Sequence, residues 1–257
     1  MTRPVVIVTG ASRGIGLGVT KALLTEFNAI VGAISRSKPA ELVQLEQAHG
    51  ESLKIYQCDI ANEAALIDVI SIFTKVHNRL DGLVLNAGVL EPLGPIADES
   101  VSLAAWKSHF DVNFFSLIPA LRASLPALRS SQGRVIIVSS GAAVGSLAGW
   151  GPYNASKAAL NSLCRIRTLA NEEPDITAIA LRPGIVDTYM QTTLRNSPDK
   201  MAPADHQRFI KAQAEGSLIS PDTSGYLIAS LALKAKKELH GQYISNAAPE
   251  LEEYQKK

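Results

Sequence analysis

Thr9-Gly10-Ala11-Ser12-Arg13-Gly14-Ile15-Gly16 follows directly on the apolar run Val5-Val6-Ile7-Val8 and leads into an amphipathic stretch over 15–27. A β-branched run, a glycine turn and a helical period, in that order, form the first half of a βαβ unit. Glycines spaced Gly-x-x-x-Gly-x-Gly remove the side chains that would keep backbone amides and a helix N-terminus away from a phosphate. Gly10, Ser12, Arg13, Gly14, Ile15 and Gly16 are therefore candidate binders of a dinucleotide pyrophosphate. The spacing is not the commoner Gly-x-Gly-x-x-Gly, and a glycine cluster alone is only a turn. Its place between a strand and a helix favours the dinucleotide.

Outward from this turn, short β-branched runs alternate with helix-period segments. The pattern predicts strands at 5–9, 29–34, 53–58, 82–85, 134–139, 177–181 and 241–244. Helices between parallel strands must cover both faces, so the expected architecture is a single α/β domain over 1–257 with a doubly wound parallel sheet. Residues 187–220 are polar, with Pro198 and Pro203, and read as a lid carrying short helices. A long helix is predicted over 103–128, with Pro119 kinking it or marking a local irregularity.

Composition narrows the partners. Lys plus Arg total 25 against 24 Asp plus Glu, a net charge of +1, which offers no field for nucleic acid or an anionic membrane. No apolar run reaches membrane-spanning length, and the start of the chain runs straight into a strand, leaving no room for a leader peptide. Two cysteines, Cys58 and Cys164, read as reduced core thiols and suggest a cytoplasmic protein. His49, His77, His109, His206 and His240 lack metal-ligand spacing and read as surface or helix-face residues, so no metal is expected.

The choice of dinucleotide falls at the end of the second strand, where an acid would hold a free ribose hydroxyl. The chain instead reads Ala33-Ile34-Ser35-Arg36-Ser37. Arg36 and Arg13 could converge on the 2′-phosphate of NADP, with Ser35 beside them. The alternative is that both arginines are simply solvated.

Ser140, Tyr153 and Lys157 supply candidate chemistry. Tyr153 and Lys157 are an i, i+4 pair on one helical face, where an ammonium can stabilise a phenolate and pull its pKa toward the working range. Ser140 ends the fifth strand at the carboxyl edge of the sheet, where its hydroxyl could hold a substrate carbonyl. A lone Tyr-x-x-x-Lys is weak; its weight comes from the serine upstream and the glycine turn.

Together these residues resemble the short-chain dehydrogenases/reductases over essentially the whole chain. Thr9 to Gly16 matches the TGxxxGxG element, Asn86-Ala87-Gly88 the NAG element, and Ser140, Tyr153 and Lys157 the serine and YxxxK; Asn113 and Pro183-Gly184 with Thr188 extend it. The resemblance implies a Rossmann-type, seven-stranded sheet. It also implies that Asp59 and Ile60 meet the adenine, that Asn86, Ala87 and Gly88 line the cleft, and that Pro183, Gly184, Val186 and Thr188 contact the nicotinamide end. By the same resemblance Tyr153 is the proton donor and Lys157 binds the nicotinamide ribose and lowers the tyrosine pKa. Asn113 would hold a water linking Lys157 to solvent. Homodimers or other homo-oligomers are also common there.

Within the family the likeness is closer to fungal NADPH-dependent benzil reductases, on Leu90-Glu91-Pro92, 110–116, 139–142, Glu172-Glu173-Pro174, Val186-Asp187-Thr188 and Gly241-Gln242-Tyr243. Sepiapterin reductases are more distant. The implied activity is reduction of a ketone or 1,2-diketone by NADP(H), a small-molecule carbonyl being the partner. Val144, Leu147, Trp150, Tyr189, Met190 and Leu194 would line an apolar substrate pocket with Ser140 and Tyr153, or else belong to the core. A non-catalytic NADPH sensor and an NAD-linked alcohol oxidiser are the competing readings, disfavoured by the complete Ser140, Tyr153, Lys157 and Asn113 set and by Arg13 and Arg36 respectively.

Overall fold

A computed structural model describes residues 2–145, 147–165 and 172–256. Its strands are β1 (Val5–Thr9), β2 (Ile30–Ser35), β3 (Leu53–Gln57), β4 (Gly82–Leu85), β5 (Arg134–Val138), β6 (Thr177–Arg182) and β7 (Gln242–Ser245). All neighbours pair in parallel, in the order β3-β2-β1-β4-β5-β6-β7. The Rossmann-type sheet is thus as expected, with strand ends shifted by about one residue. The order reverses between β1 and β4, and a crevice opens at their carboxyl ends.

Strand alternation divides the core. Val6, Val8, Val31, Val84 and Ile136 face one helical layer, and Val5, Ile7, Leu83, Val135 and Ile137 the other. Because both faces are buried, the central strands β1, β4 and β5 are almost continuously apolar, whereas the edge strand β3 alternates and exposes Lys54 and Gln57. On the first face, helix α1 (Gly14–Thr25) meets the late helix α9 (Pro221–Lys234) backbone to backbone. A Cβ on Gly18 would lie 2.2 Å from the Pro221 carbonyl oxygen, which explains the small residue there. The same layer carries α2 (Ala40–His49), and the opposite one carries α3 (Glu63–His77), α5 (Leu117–Ser131) and α6 (Gly151–Cys164).

The single helix expected over 103–128 is three pieces: α4 (Leu103–Phe110), a π turn (Asp111–Phe115) and α5. The irregularity lies upstream of Pro119, which sits in the first turn of α5; a second proline, Pro126, lies inside α5. The π turn swings the buried Asn113 toward the sheet, a tertiary effect that proline placement does not report. The sequence also suggests a helical segment with apolar residues on more than one face over 154–169; it is described to Cys164 as part of α6, and its far end lies outside the described residues.

The segment read as a lid contains α7 (Tyr189–Arg195) and α8 (Pro203–Ala214), and its two ends are tied by Asp187 N to Ile219 O at 2.8 Å and Ile219 N to Ile185 O at 2.9 Å. Under it lies a third apolar cluster that includes Leu90, Trp150, Tyr153, Leu194 and Phe209.

Candidate active site

The glycine turn is held by the segment after β4. The Thr9 hydroxyl accepts the amides of Asn86 and Ala87 at 3.0 and 3.2 Å, and Asn86 Nδ2 donates to the carbonyls of Thr9 and Gly10 at 3.0 and 3.3 Å. Gly10 has φ of 68°, and a Cβ there would lie 2.8 Å from Ala87 Cα. A side chain is excluded by conformation and by space together. The residue at the N-cap of α1, Arg13, is extended and makes no side-chain cap, so the first-turn amides look onto the crevice.

That crevice has a volume of about 1030 Å³. Its walls include Gly10, Ser12, Arg13, Gly14 and Ile15 from the turn, Ser35 and Arg36 after β2, and Asp59 and Ile60 after β3. They continue through Asn86, Ala87 and Gly88 to Tyr153 and Lys157, and end at Pro183, Gly184, Val186 and Thr188. Gly16 alone of the expected cofactor residues is not on the wall. It lies beneath, where a Cβ would come within 2.2 Å of the Gly10 carbonyl oxygen, so its role is to seat the helix on the turn. A side-chain-free cradle, open amides and an elongated cleft fit a dinucleotide.

Arg36 and Arg13 both reach the wall, and neither has an ion pair among the described residues. The Arg13 guanidinium lies 4.5 Å from the centre of the Tyr189 ring, coupling the glycine turn to the lid.

At the other end, Ser140 follows β5 in extended conformation; its Oγ accepts the Ala142 amide at 3.1 Å and hydrogen-bonds with Tyr153. Tyr243 donates to the Ser140 carbonyl at 2.9 Å and fixes it from β7. Tyr153 and Lys157 lie on one buried face of α6. Lys157 Nζ donates to the Val138 carbonyl at 2.8 Å and stands 5.6 Å from the Tyr153 ring centre. Burial pushes the Tyr153 phenol up, and the Ser140 hydrogen bond opposes it. The expected lowering by Lys157 is therefore not the governing influence in this geometry: the amine itself, desolvated, is pulled down to about 8.

Asn113 stands behind the wall. Its Oδ1 accepts the Val89 amide and its Nδ2 donates to the Val89 carbonyl, both at 2.8 Å. A Cβ on Gly88 would lie 3.4 Å from Asn113 Oδ1 and 3.7 Å from Lys157 Nζ, so the two side chains face each other across a glycine. His109, expected on a surface or helix face, is instead only 2% exposed and bonded to Asn113; the α4 register turns it inward. Among the described residues no cluster of three or more His, Cys, Asp or Glu is placed to hold a metal.

All six expected pocket residues line the cleft. Trp150 and Leu194 are buried, Leu147 and Met190 partly so, and Val144 and Tyr189 are exposed at the rim. Trp150 packs edge-on to Tyr153 with centroids 5.7 Å apart and stacks on Phe209 at 5.7 Å and 11°. Phe209 was not foreseen from sequence; the available signal was that it is the one aromatic residue in the polar helix α8. Leu90, Glu91, Asp205 and Arg208 also reach the wall.

A family model for short chain dehydrogenases matches residues 4–199. The chain belongs to that family. It is an oxidoreductase of a family whose cofactor is NAD(P)(H). An uncharacterized oxidoreductase of Schizosaccharomyces pombe is 38% identical over 244 residues, covering 93% of this chain and 95% of that one. A benzil reductase ((S)-benzoin forming) of Saccharomyces cerevisiae is 37% identical over 251 residues, covering 93% and 94%. A crystal structure of a short chain dehydrogenase/reductase from Saccharomyces cerevisiae superposes with a TM-score of 0.92 at 34% identity, covering 98% of this chain and all of that one.

The buried lysine of this short-chain dehydrogenase makes stability depend on pH. Below about pH 8 Lys157 is charged in both folded and unfolded chains, and folding carries its desolvation cost. Between about 8 and its ordinary value of 10.5 the unfolded chain binds more protons than the folded one, so stability rises with pH. The wild type should gain up to ~3 kcal/mol on a Lys157→Met variant over that window, read as the difference between their melts at pH 7 and pH 10. A constant difference would contradict a desolvated amine.

Proposed function

We propose that the protein is an NADPH-dependent carbonyl reductase acting on bulky or aromatic ketones and 1,2-diketones. The observation that carries this reading is the placement of the Tyr153 phenol beside Ser140 and Lys157 under the aromatic ledge of Trp150 and Phe209. NADPH, when bound, supplies the hydride. Ser140 Oγ holds the substrate oxygen, and Tyr153 gives that oxygen its proton. Lys157, on the same face of α6, holds the ribose and supplies the positive charge that favours phenolate once the proton has left. Asn113, across Gly88 from Lys157, anchors the path along which the proton is restored.

The 2′-phosphate is assigned to Arg13 and Arg36, which stand on the wall with no ion pair among the described residues where an NAD enzyme would need an acid. The substrate class is supported by the stacked ledge, which offers a flat apolar face next to the proton donor, and by the name of the yeast relative. Cys58 and Cys164 are both free and buried, in keeping with the reducing cytoplasm in which we place the protein. Leu103 and Phe115, exposed on α4 and the π turn, support a subunit contact in a homo-oligomer.

Oxidation of NADPH followed with benzil, other diketones, aryl ketones, quinones and aliphatic aldehydes tests the reading. Turnover on the diketones and aryl ketones supports it. NADPH binding without turnover on any carbonyl would overturn it. Phe209→Ala should raise KM for benzil about tenfold, since a stacked aromatic pair and its burial contribute ~1 kcal/mol or more, and leave KM for a small aliphatic ketone near its starting value. An equal change for both substrates would remove Phe209 from the pocket.

A further inference from the structure

His109 lies outside every role assigned so far, yet its ring is fully engaged. Nδ1 stands 2.7 Å from the Glu91 carbonyl, which can only accept, so Nδ1 carries a proton. Burial lowers the pKa of the ring, the Glu91 bond opposes it and the Lys157 charge adds to the lowering, while the Asn113 amide, oriented by its two bonds to Val89, turns an Nδ2 hydrogen toward Nε2, which must accept it. Nε2 is then a lone pair, 2.8 Å from Asn113 Nδ2 and 3.1 Å from Ser156 Oγ. Ser156 Oγ directs its own hydrogen to the Tyr153 carbonyl at 3.0 Å. In this tautomer both Asn113 Nδ2 hydrogens are used, one on Val89 O and one on His109 Nε2, while Oδ1 accepts from Val89 N.

The consequence is geometric. An asparagine amide in which nitrogen and oxygen are exchanged would place Oδ1 against the Nε2 lone pair and Nδ2 against the Val89 N–H. Only one orientation satisfies every partner. His109 also clamps the segment 89–91, whose Leu90 and Glu91 form cleft wall, by holding Glu91 O while Asn113 holds Val89.

We propose that His109 is a positioning residue for proton supply: by accepting at Nε2 it locks the Asn113 amide opposite Lys157 and fixes the cleft wall at 89–91. The proposal rests on the carbonyl-reductase reading above. His109 does not touch substrate or cofactor, and its effect passes through Asn113.

Three variants separate the two ring nitrogens. His109→Phe keeps the ring shape and removes both bonds; His109→Gln returns an acceptor near Nε2; His109→Asn returns a donor near Nδ1. Expected in NADPH oxidation assays is a fall in kcat of about tenfold for His109→Phe, the rate equivalent of one lost buried hydrogen bond. KM for NADPH and its Kd by cofactor fluorescence should stay within about twofold. The solvent deuterium isotope effect on kcat should rise, because proton supply becomes slower. His109→Gln should recover most of kcat and His109→Asn should not. Melting curves for all three identify any variant that does not fold, and the comparison then rests on the remaining two. Wild-type kcat in folded His109→Phe, recovery by Asn rather than Gln, or an unchanged isotope effect would each overturn the proposal. A wild-type enzyme that reduces no carbonyl would instead overturn the functional reading beneath it.

Discussion

Tyr153→Phe should lower kcat/KM for ketone reduction by ~10²- to 10⁴-fold, the range expected for removing a positioned general acid. The substitution deletes one oxygen and keeps the ring that packs edge-on to Trp150, so the apolar cluster under the lid stays filled. Ser140 Oγ loses a partner but still accepts the Ala142 amide, and Lys157 keeps its bond to the Val138 carbonyl. Affinity for NADPH should therefore change little, and the loss should appear in kcat. Cofactor fluorescence titration beside NADPH oxidation makes the comparison. A variant retaining more than a tenth of the activity would mean that another group, or water, protonates the product oxygen. Equal losses in cofactor affinity and rate would point to a collapsed cleft rather than a missing acid.

The sheet and the ends of the cleft were legible because local rules and tertiary structure agree there. Val5 to Val8 is apolar at every position since both faces of the strand are covered, and the Gly10 turn must be side-chain-free to touch Ala87. Tyr153 and Lys157 could be placed on one face from their spacing alone. What escaped was set by contacts distant in the chain. The π turn exists where Asn113 reaches Val89, 24 residues upstream, and no helical propensity in 103–128 marks it. His109 reads as one helix residue among polar neighbours until α4 is docked, when it becomes a buried ring bonded to Glu91 and Asn113. Phe209 belongs to a lid helix whose register against Trp150 depends on how the loop folds back on Ile185 and Ile219. Gly16 shows the converse: spacing puts it in the glycine turn, but its job is packing beneath the wall. For Tyr153, spacing gives proximity to Lys157 but not the burial that both residues share, which pushes the phenol up.

Cofactor choice should turn on two guanidinium groups. Arg36→Ala and Arg13→Ala should each weaken NADPH binding by about 10- to 100-fold, since a charge-assisted hydrogen bond contributes ~1.5–3 kcal/mol, and should leave NADH affinity close to its starting value. Fluorescence titration with both cofactors reads the ratio directly. Arg13 needs a further control because its guanidinium also lies over the Tyr189 ring. Tyr189→Leu removes the ring and keeps the charge, so it should preserve the NADPH preference while loosening the lid. If Arg13→Ala instead weakens both cofactors equally, as Tyr189→Leu would through the lid, then Arg13 is a lid contact and Arg36 alone reads the phosphate. The stronger test is Arg36→Asp. It removes a cation and supplies, at the end of β2, the carboxylate that a free ribose hydroxyl requires, so both changes act in the same direction. NADPH affinity should fall further than in Arg36→Ala because the new charge repels the phosphate, while NADH affinity should rise. A variant that still prefers NADPH would show that the 2′-phosphate is held elsewhere on the wall.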